Sequence, residues 1–170
     1  MTPEVSRLRL GGRVWLFGDA VNTDDMYPGF AMRLSVSDAA QHMFDATRPE
    51  WPALVRAGDI IVGGRRFGLG SARPVPLLLG ELGVACVLAE EFSSLFLRNC
   101  INYGLPALAV PGVRAAFDEG DVAEVDVVAA RVRNASTGHE LIGKPYPPLV
   151  LELLRLGGVQ ARLRSQGYLA

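Results

Sequence analysis

Gly64-Arg65-Arg66-Phe67-Gly68-Leu69-Gly70-Ser71-Ala72-Arg73 is the stretch on which the reading of this chain turns. The apolar run Asp59-Ile60-Ile61-Val62 enters it and reads as a short buried strand. Behind it, Pro74 to Leu82 reads as a helix. A glycine-rich loop with three arginines and one serine therefore joins a strand to a helix N-terminus. Such a junction suits an anion, because unpaired backbone N–H groups point outward there and the helix dipole is positive at that end. Arginine adds a planar fork of donors that fits a carboxylate or phosphate edge, and glycine allows close backbone approach. The same glycines also suit a plain tight turn. The loop is neither a Walker P-loop nor a dinucleotide fingerprint: no Gly-Lys-Ser/Thr follows, and the third glycine of G-x-G-x-x-G is absent.

Downstream, Val84 to Ala89 reads as a second buried strand. Glu91 to Tyr103 reads as a helix, with Phe92, Leu95, Phe96, Asn99 and Cys100 at helical spacing and Gly104 placed to end it. Pro106 to Val110 is a third strand. Strand and helix in alternation predict parallel pairing with helical crossovers. Upstream, Arg13 to Gly18 reads as a strand, followed by a polar loop, Asp19 to Gly29, rich in turn formers. Asp24 in that loop is either a carboxylate presented from a strand end or part of an exposed Asx-turn connection. Ser37 to Phe44 reads as a short helix capped by Ser35 or Ser37. Beyond residue 117 the pattern alternates as in half-exposed strands. A hairpin is expected from Arg131–Asn134 to Glu140–Ile142 around Ser136-Thr137-Gly138, then a leucine-rich helix from Pro147-Pro148 to Gly157-Gly158 and a last helix to about Gln166. The expected organisation is a single domain over 1–170: a loose arm at 1–10, an α/β core at 11–112, and a β-hairpin with C-terminal helices at 113–170.

Composition narrows the classes. With 170 residues and 49% hydrophobic content the chain can build one sizeable core. A net charge of −1 offers no general attraction to nucleic acid. No apolar run is long enough to span a bilayer, and Met1 to Arg7 lacks the layout of a signal peptide, so the expectation is a cytoplasmic protein without membrane partners. The two cysteines, Cys86 and Cys100, read as packed residues and cannot by themselves hold an iron–sulfur cluster or a structural zinc. His42 and His139 read as surface or capping residues, and no metal ligand is expected in this chain.

Three stretches carry a family resemblance. Gly18-Asp19-Ala20-Val21-Asn22-Thr23-Asp24-Asp25 is similar to a G-D-x-x-x-T-D segment. The glycine loop is similar to G-R-N-F-G-x-G-S-S-R, and Phe92 to Pro106 to F-x-x-I-F-x-x-N-x-x-x-x-G-L-x-P. In order and spacing the chain resembles the small subunits of 3-isopropylmalate dehydratase, which are similar to the swivelling domain of aconitase and homoaconitase. The resemblance implies an α/β fold of the layered β/β/α swivelling type, with a mixed sheet and flanking helices. It implies a hydro-lyase that reversibly dehydrates a malate-type hydroxy acid such as 3-isopropylmalate. It further implies a large-subunit partner that carries a 4Fe-4S cluster, in a heterodimer or a dimer of heterodimers.

By the same resemblance Ser71 is the catalytic base, Asp24 the acid that handles the leaving hydroxyl, and Arg73 the grip on a substrate carboxylate. Gly70, Ala72 and Arg66 line the substrate loop. Arg33, in the segment Tyr27 to Leu34 where the family has its specificity loop, is a contact to a distal carboxylate or a solvated surface charge. The chain departs from the pattern at Ala72 for the second serine, Pro74-Val75 for Glu-His, Arg66 for asparagine and Leu69 for a frequent cysteine. These departures bear on the substrate, so homoaconitate, dimethylmalate or methylmalate types stand as alternatives. A non-catalytic anion-binding module is the reading from another class.

Overall fold

The computed structural model describes residues 8–170. Seven strands form one mixed sheet: β1 (Arg9–Leu16), β2 (Ile60–Gly63), β3 (Cys86–Ala89), β4 (Ala107–Ala109), β5 (Val122–Asp126), β6 (Arg131–Asn134) and β7 (Glu140–Ile142). Their order is β4-β3-β2-β1-β5-β6-β7. β1 to β4 are parallel and β5 to β7 run antiparallel, with β1 belonging to both halves: Val14–Leu16 pair with β2, and Arg9–Arg13 pair with β5.

The parallel strands are buried on both sides, and their alternate residues feed two cores. Trp15, Ile61, Val87 and Ala107 point into one, shared with the helices α1 (Thr23–Met26), α2 (Val36–Ala40), α3 (Trp51–Leu54), α4 (Val75–Glu81) and α5 (Ser94–Asn102). Val14, Ile60, Val62, Cys86, Leu88 and Leu108 point into the other. That side is closed by β5 and β6 and by Leu151 and Leu154 of α6 (Pro148–Leu156). A last helix, α7 (Val159–Ser165), follows Gly157-Gly158. The result is a helical layer, a parallel sheet and a curled antiparallel layer.

Asp59 fastens the entry to β2. Its Oδ2 accepts from Arg13 Nη2 at 2.7 Å, Trp15 Nε1 at 2.7 Å and the Arg56 amide at 2.9 Å. Burial pushes this carboxyl up, but the three donors and the Arg13 charge outweigh it and hold the group below its ordinary value. Arg48 packs over the rings of Trp15 and Phe17 and pairs with Glu119, joining the first helical connection to the turn before β5.

Several boundaries differ from expectation. The arm expected at 1–10 lies outside the described residues up to position 7, but Leu8 is buried and Arg9 and Leu10 are already strand. β1 therefore begins at Arg9 rather than Arg13, because β5 supplies a long-range partner that local sequence cannot reveal. The loop Asp19–Gly29 contains α1, and Gly29–Arg33 forms a 3-10 turn. α2 spans Val36–Ala40 with Ser35 as its cap and stops short of Phe44, whose φ of 58° breaks it. α4 starts at Val75, one residue later than read, and α5 at Ser94 rather than Glu91. His42 is half-buried and packs edge-on to Phe30 instead of capping a helix.

Candidate active site

The segment after β1 runs beside the loop after β2, as though both strands continued. The Gly64 amide donates to Gly18 O (3.0 Å), Ala20 to Arg65 O (2.7 Å), Gly68 to Val21 O (2.8 Å) and Thr23 to Leu69 O (2.7 Å). This zipper brings residues almost fifty positions apart into one site. Asn22 then caps α1, its side chain accepting from the Asp24 amide at 2.8 Å, which puts Asp24 in the first helical turn. Thr23, buried, donates from Oγ1 to Ser71 O at 2.8 Å and pins the tip of the glycine loop. Gly70 closes the packing. Its φ is 105°, and a Cβ there would meet Asn22 Oδ1 and stand 2.9 Å from Thr23 Oγ1. No side chain fits.

Three of the expected residues meet. Ser71 Oγ donates to Asp24 Oδ1 at 2.9 Å, and Arg73 Nε reaches the same oxygen at 3.1 Å. Arg73 Nη1 donates to Tyr27 O at 2.5 Å, which fixes the plane of the guanidinium. Among the described residues, nothing accepts from the amides of Gly70, Ser71 or Ala72. Ser71 and Ala72 are exposed, and the Asp24 side chain is 53% accessible against 20% for Arg73. The group therefore lies on an open face. α4 begins four residues after Ser71, so its dipole adds little at the hydroxyl.

Arg66 and Arg33 do not join the group. Both are exposed, and neither side chain makes a hydrogen bond or ion pair among the described residues. Arg66 occupies the left-handed region at φ 51°. What the sequence did not disclose was Tyr27 O as the anchor of Arg73, a backbone contact with no residue-type signal, and Thr23 as the pin of the loop. The Asn-Thr-Asp-Asp string, a cap followed by first-turn acids, is the signal that would have located α1.

A surface cleft of about 430 Å3 lies elsewhere, along β1, β5 and β6. Its arginines and carboxylates pair with one another, Arg133 with Glu124 at 3.0 Å and Arg9 with Asp126 at 3.7 Å, as on a solvated sheet face. The cysteines are buried in opposite cores. Burial pushes the Cys86 thiol up to about 12 and raises Cys100 as well, so both are protonated at neutral pH. Among the described residues no group of three or more His, Cys, Asp or Glu side chains is arranged to hold a metal ion, and no helix is long and apolar enough to cross a membrane.

Fold and site define a class: an α/β domain that presents a hydroxyl, a carboxylate and a guanidinium on one open face. No family model matches the chain. Curated relatives do. The 3-isopropylmalate dehydratase small subunit 1 of Methanopyrus kandleri is 40% identical over 158 residues, 92% of this chain and 93% of that protein. The isopropylmalate/citramalate isomerase small subunit of Methanocaldococcus jannaschii is 39% identical over 91% of this chain and 94% of its own length. The homoaconitase small subunit of Methanothermobacter thermautotrophicus is 41% identical, covering 87% and 86%. The crystal structure of 3-isopropylmalate dehydratase from Methanocaldococcus jannaschii superposes with a TM-score of 0.87 at 28% identity, covering 94% of this chain and 95% of that one. The chain belongs to the 3-isopropylmalate dehydratase small-subunit family, hydro-lyases of the aconitase type. The name small subunit implies a larger partner.

Proposed function

We propose that this chain supplies the proton-transfer and carboxylate-binding half of a hydro-lyase that interconverts hydroxy diacids, with 3-isopropylmalate as its leading substrate. The observation that carries the reading is the single Asp24 oxygen shared by Ser71 Oγ and Arg73 Nε. Removing a proton from carbon next to a carboxylate needs a strong base held where its charge is stabilised. Ser71 is that base. Its own proton has an acceptor in Asp24, and the alkoxide left behind faces the Arg73 guanidinium and the unpaired amides of Gly70 to Ala72. Arg73, held by Tyr27 O, keeps Nη2 free to engage a substrate carboxylate. Ser71 keeps the proton taken from carbon, and Asp24 passes the proton it received to the departing hydroxyl, which leaves as water.

In this reading a 4Fe-4S cluster held by the large subunit would supply a Lewis acid for the departing hydroxyl.

The test is anaerobic reconstitution with the large subunit from the same genome. Ser71→Ala is expected to lower kcat by about a thousandfold or more with KM nearly unchanged; wild-type turnover in that variant overturns the role. Relatives of similar identity are named for isopropylmalate, citramalate and homoaconitate. Assaying those three compounds side by side identifies the substrate. Arg66 and Arg33, exposed and without a partner among the described residues, are arginines available to a third carboxylate, so Arg33→Ala and Arg66→Ala should impair homoaconitate turnover before isopropylmalate turnover.

A further inference from the structure

One residue grips the glycine loop on both sides of Gly70. The Thr23 amide donates to Leu69 O at 2.7 Å, and Thr23 Oγ1 donates to Ser71 O at 2.8 Å. Among the described residues, that hydroxyl makes the one hydrogen bond to the backbone of residues 70–72. Gly70 itself sits at φ 105°, in a region that glycine leaves as readily as it enters, so the conformation of the tip depends on what holds it from outside. Thr23 is 2% exposed. The other buried polar side chains among the described residues serve the sheet: Asp59 fastens the entry to β2, and Asn134 ties β6 to Ala116 O and Asp121. The Thr23 hydroxyl is spent on the residue that carries the base.

We propose that Thr23 is a positioning residue for the proton transfer: its hydroxyl turns the Ser71–Ala72 peptide so that Ser71 Oγ and the Ala72 amide both face the reacting centre. A trans peptide is planar, and its carbonyl and N–H point opposite ways. With the Ser71 carbonyl drawn inward to buried Thr23, the Ala72 N–H points away from the core, where no group of the described residues accepts from it. A donor so placed stabilises charge left on the Ser71 oxygen. The preceding residue does the matching work for the proton acceptor, since Asn22 Oδ1 takes the Asp24 amide at 2.8 Å and fixes Asp24 in the first turn of α1. Two consecutive side chains thus set the 2.9 Å contact between Ser71 Oγ and Asp24 Oδ1. Neither touches the reacting atoms.

The proposal rests on the hydro-lyase reading, because Thr23 acts only through Ser71. Its test is steady-state kinetics of the enzyme reconstituted anaerobically with the large subunit, for Thr23→Val, which keeps the branched shape and loses the donor, and Thr23→Ser, which keeps the donor. Thr23→Val should lower kcat by about 10- to 100-fold with KM within about threefold of wild type. Its melting temperature should stay within about 4 °C, the shift that one lost hydrogen bond gives in a domain of this size. Thr23→Ser should restore kcat to within about threefold of wild type. A wild-type kcat in Thr23→Val overturns the proposal, as does an equal loss in both variants or a rise in KM with kcat unchanged. Should the valine variant not fold, Thr23→Ser against Thr23→Ala decides: serine must exceed alanine in kcat by about tenfold, and equality overturns the role. Ser71→Ala, assayed alongside, separates the two readings. If it is inactive while Thr23→Val turns over normally, Thr23 alone loses its role; if it too turns over normally, the hydro-lyase assignment of the serine falls and takes this proposal with it.

Discussion

Arg73 is held by two contacts that lysine cannot reproduce together, Nε on Asp24 and Nη1 on Tyr27 O. Arg73→Lys should therefore raise KM at least tenfold in the reconstituted enzyme and leave the melting temperature within a degree or two, as steady-state kinetics and calorimetry will show. Gly70→Ala should be worse than its size suggests: positive φ and the clash with Asn22 together cost about 2 kcal/mol or more of stability and displace Ser71. Arg66 offers the opposite experiment. It holds a left-handed conformation that asparagine, the residue of the similar family motif, adopts more readily. Arg66→Asn should stabilise the chain by about 0.5–1 kcal/mol in denaturant melts.

At the scale of elements, the Asp59 clamp is the joint most exposed to acid. Asp59 and Glu119 are both held below their ordinary values: burial raises each, and their arginine and backbone donors overcome it. A carboxylate with a depressed native value contributes fully above its unfolded value, 3.8 and 4.5 respectively, and loses that contribution as pH falls through the native one. Melting temperature should thus decline on acidification below about pH 4, and Asp59→Ala should both flatten that decline and cost about 3 kcal/mol at neutral pH.

The parallel half of the sheet was readable because doubly buried strands announce themselves as apolar runs between glycines, as Ile60-Ile61-Val62 does. Three spaced motifs singled out Ser71, Asp24 and Arg73, and the fold brings their side chains together. What sequence could not convey were pairings that depend on distant partners: Arg9 and Leu10 are strand only because β5 lies beside them, and α1 is too short for periodicity to register. The geometry of the site, one oxygen serving two donors, follows from a zipper between segments almost fifty residues apart, and no local signal encodes that.

For the molecule as a whole, both thiols should resist alkylation at pH 8 in the native state and react only on unfolding, a difference mass spectrometry reads directly. The mixed sheet carries a further consequence. Among the described residues, β1 is the strand that pairs within the sheet with both the parallel and the antiparallel halves. Deuterium uptake should accordingly be slowest at Val14 to Leu16 and quicken outward, with β7 opening long before the centre. A spine of that kind lets the outer strands breathe without loosening the face that carries Ser71, so the two halves can age, fray and be altered on separate clocks.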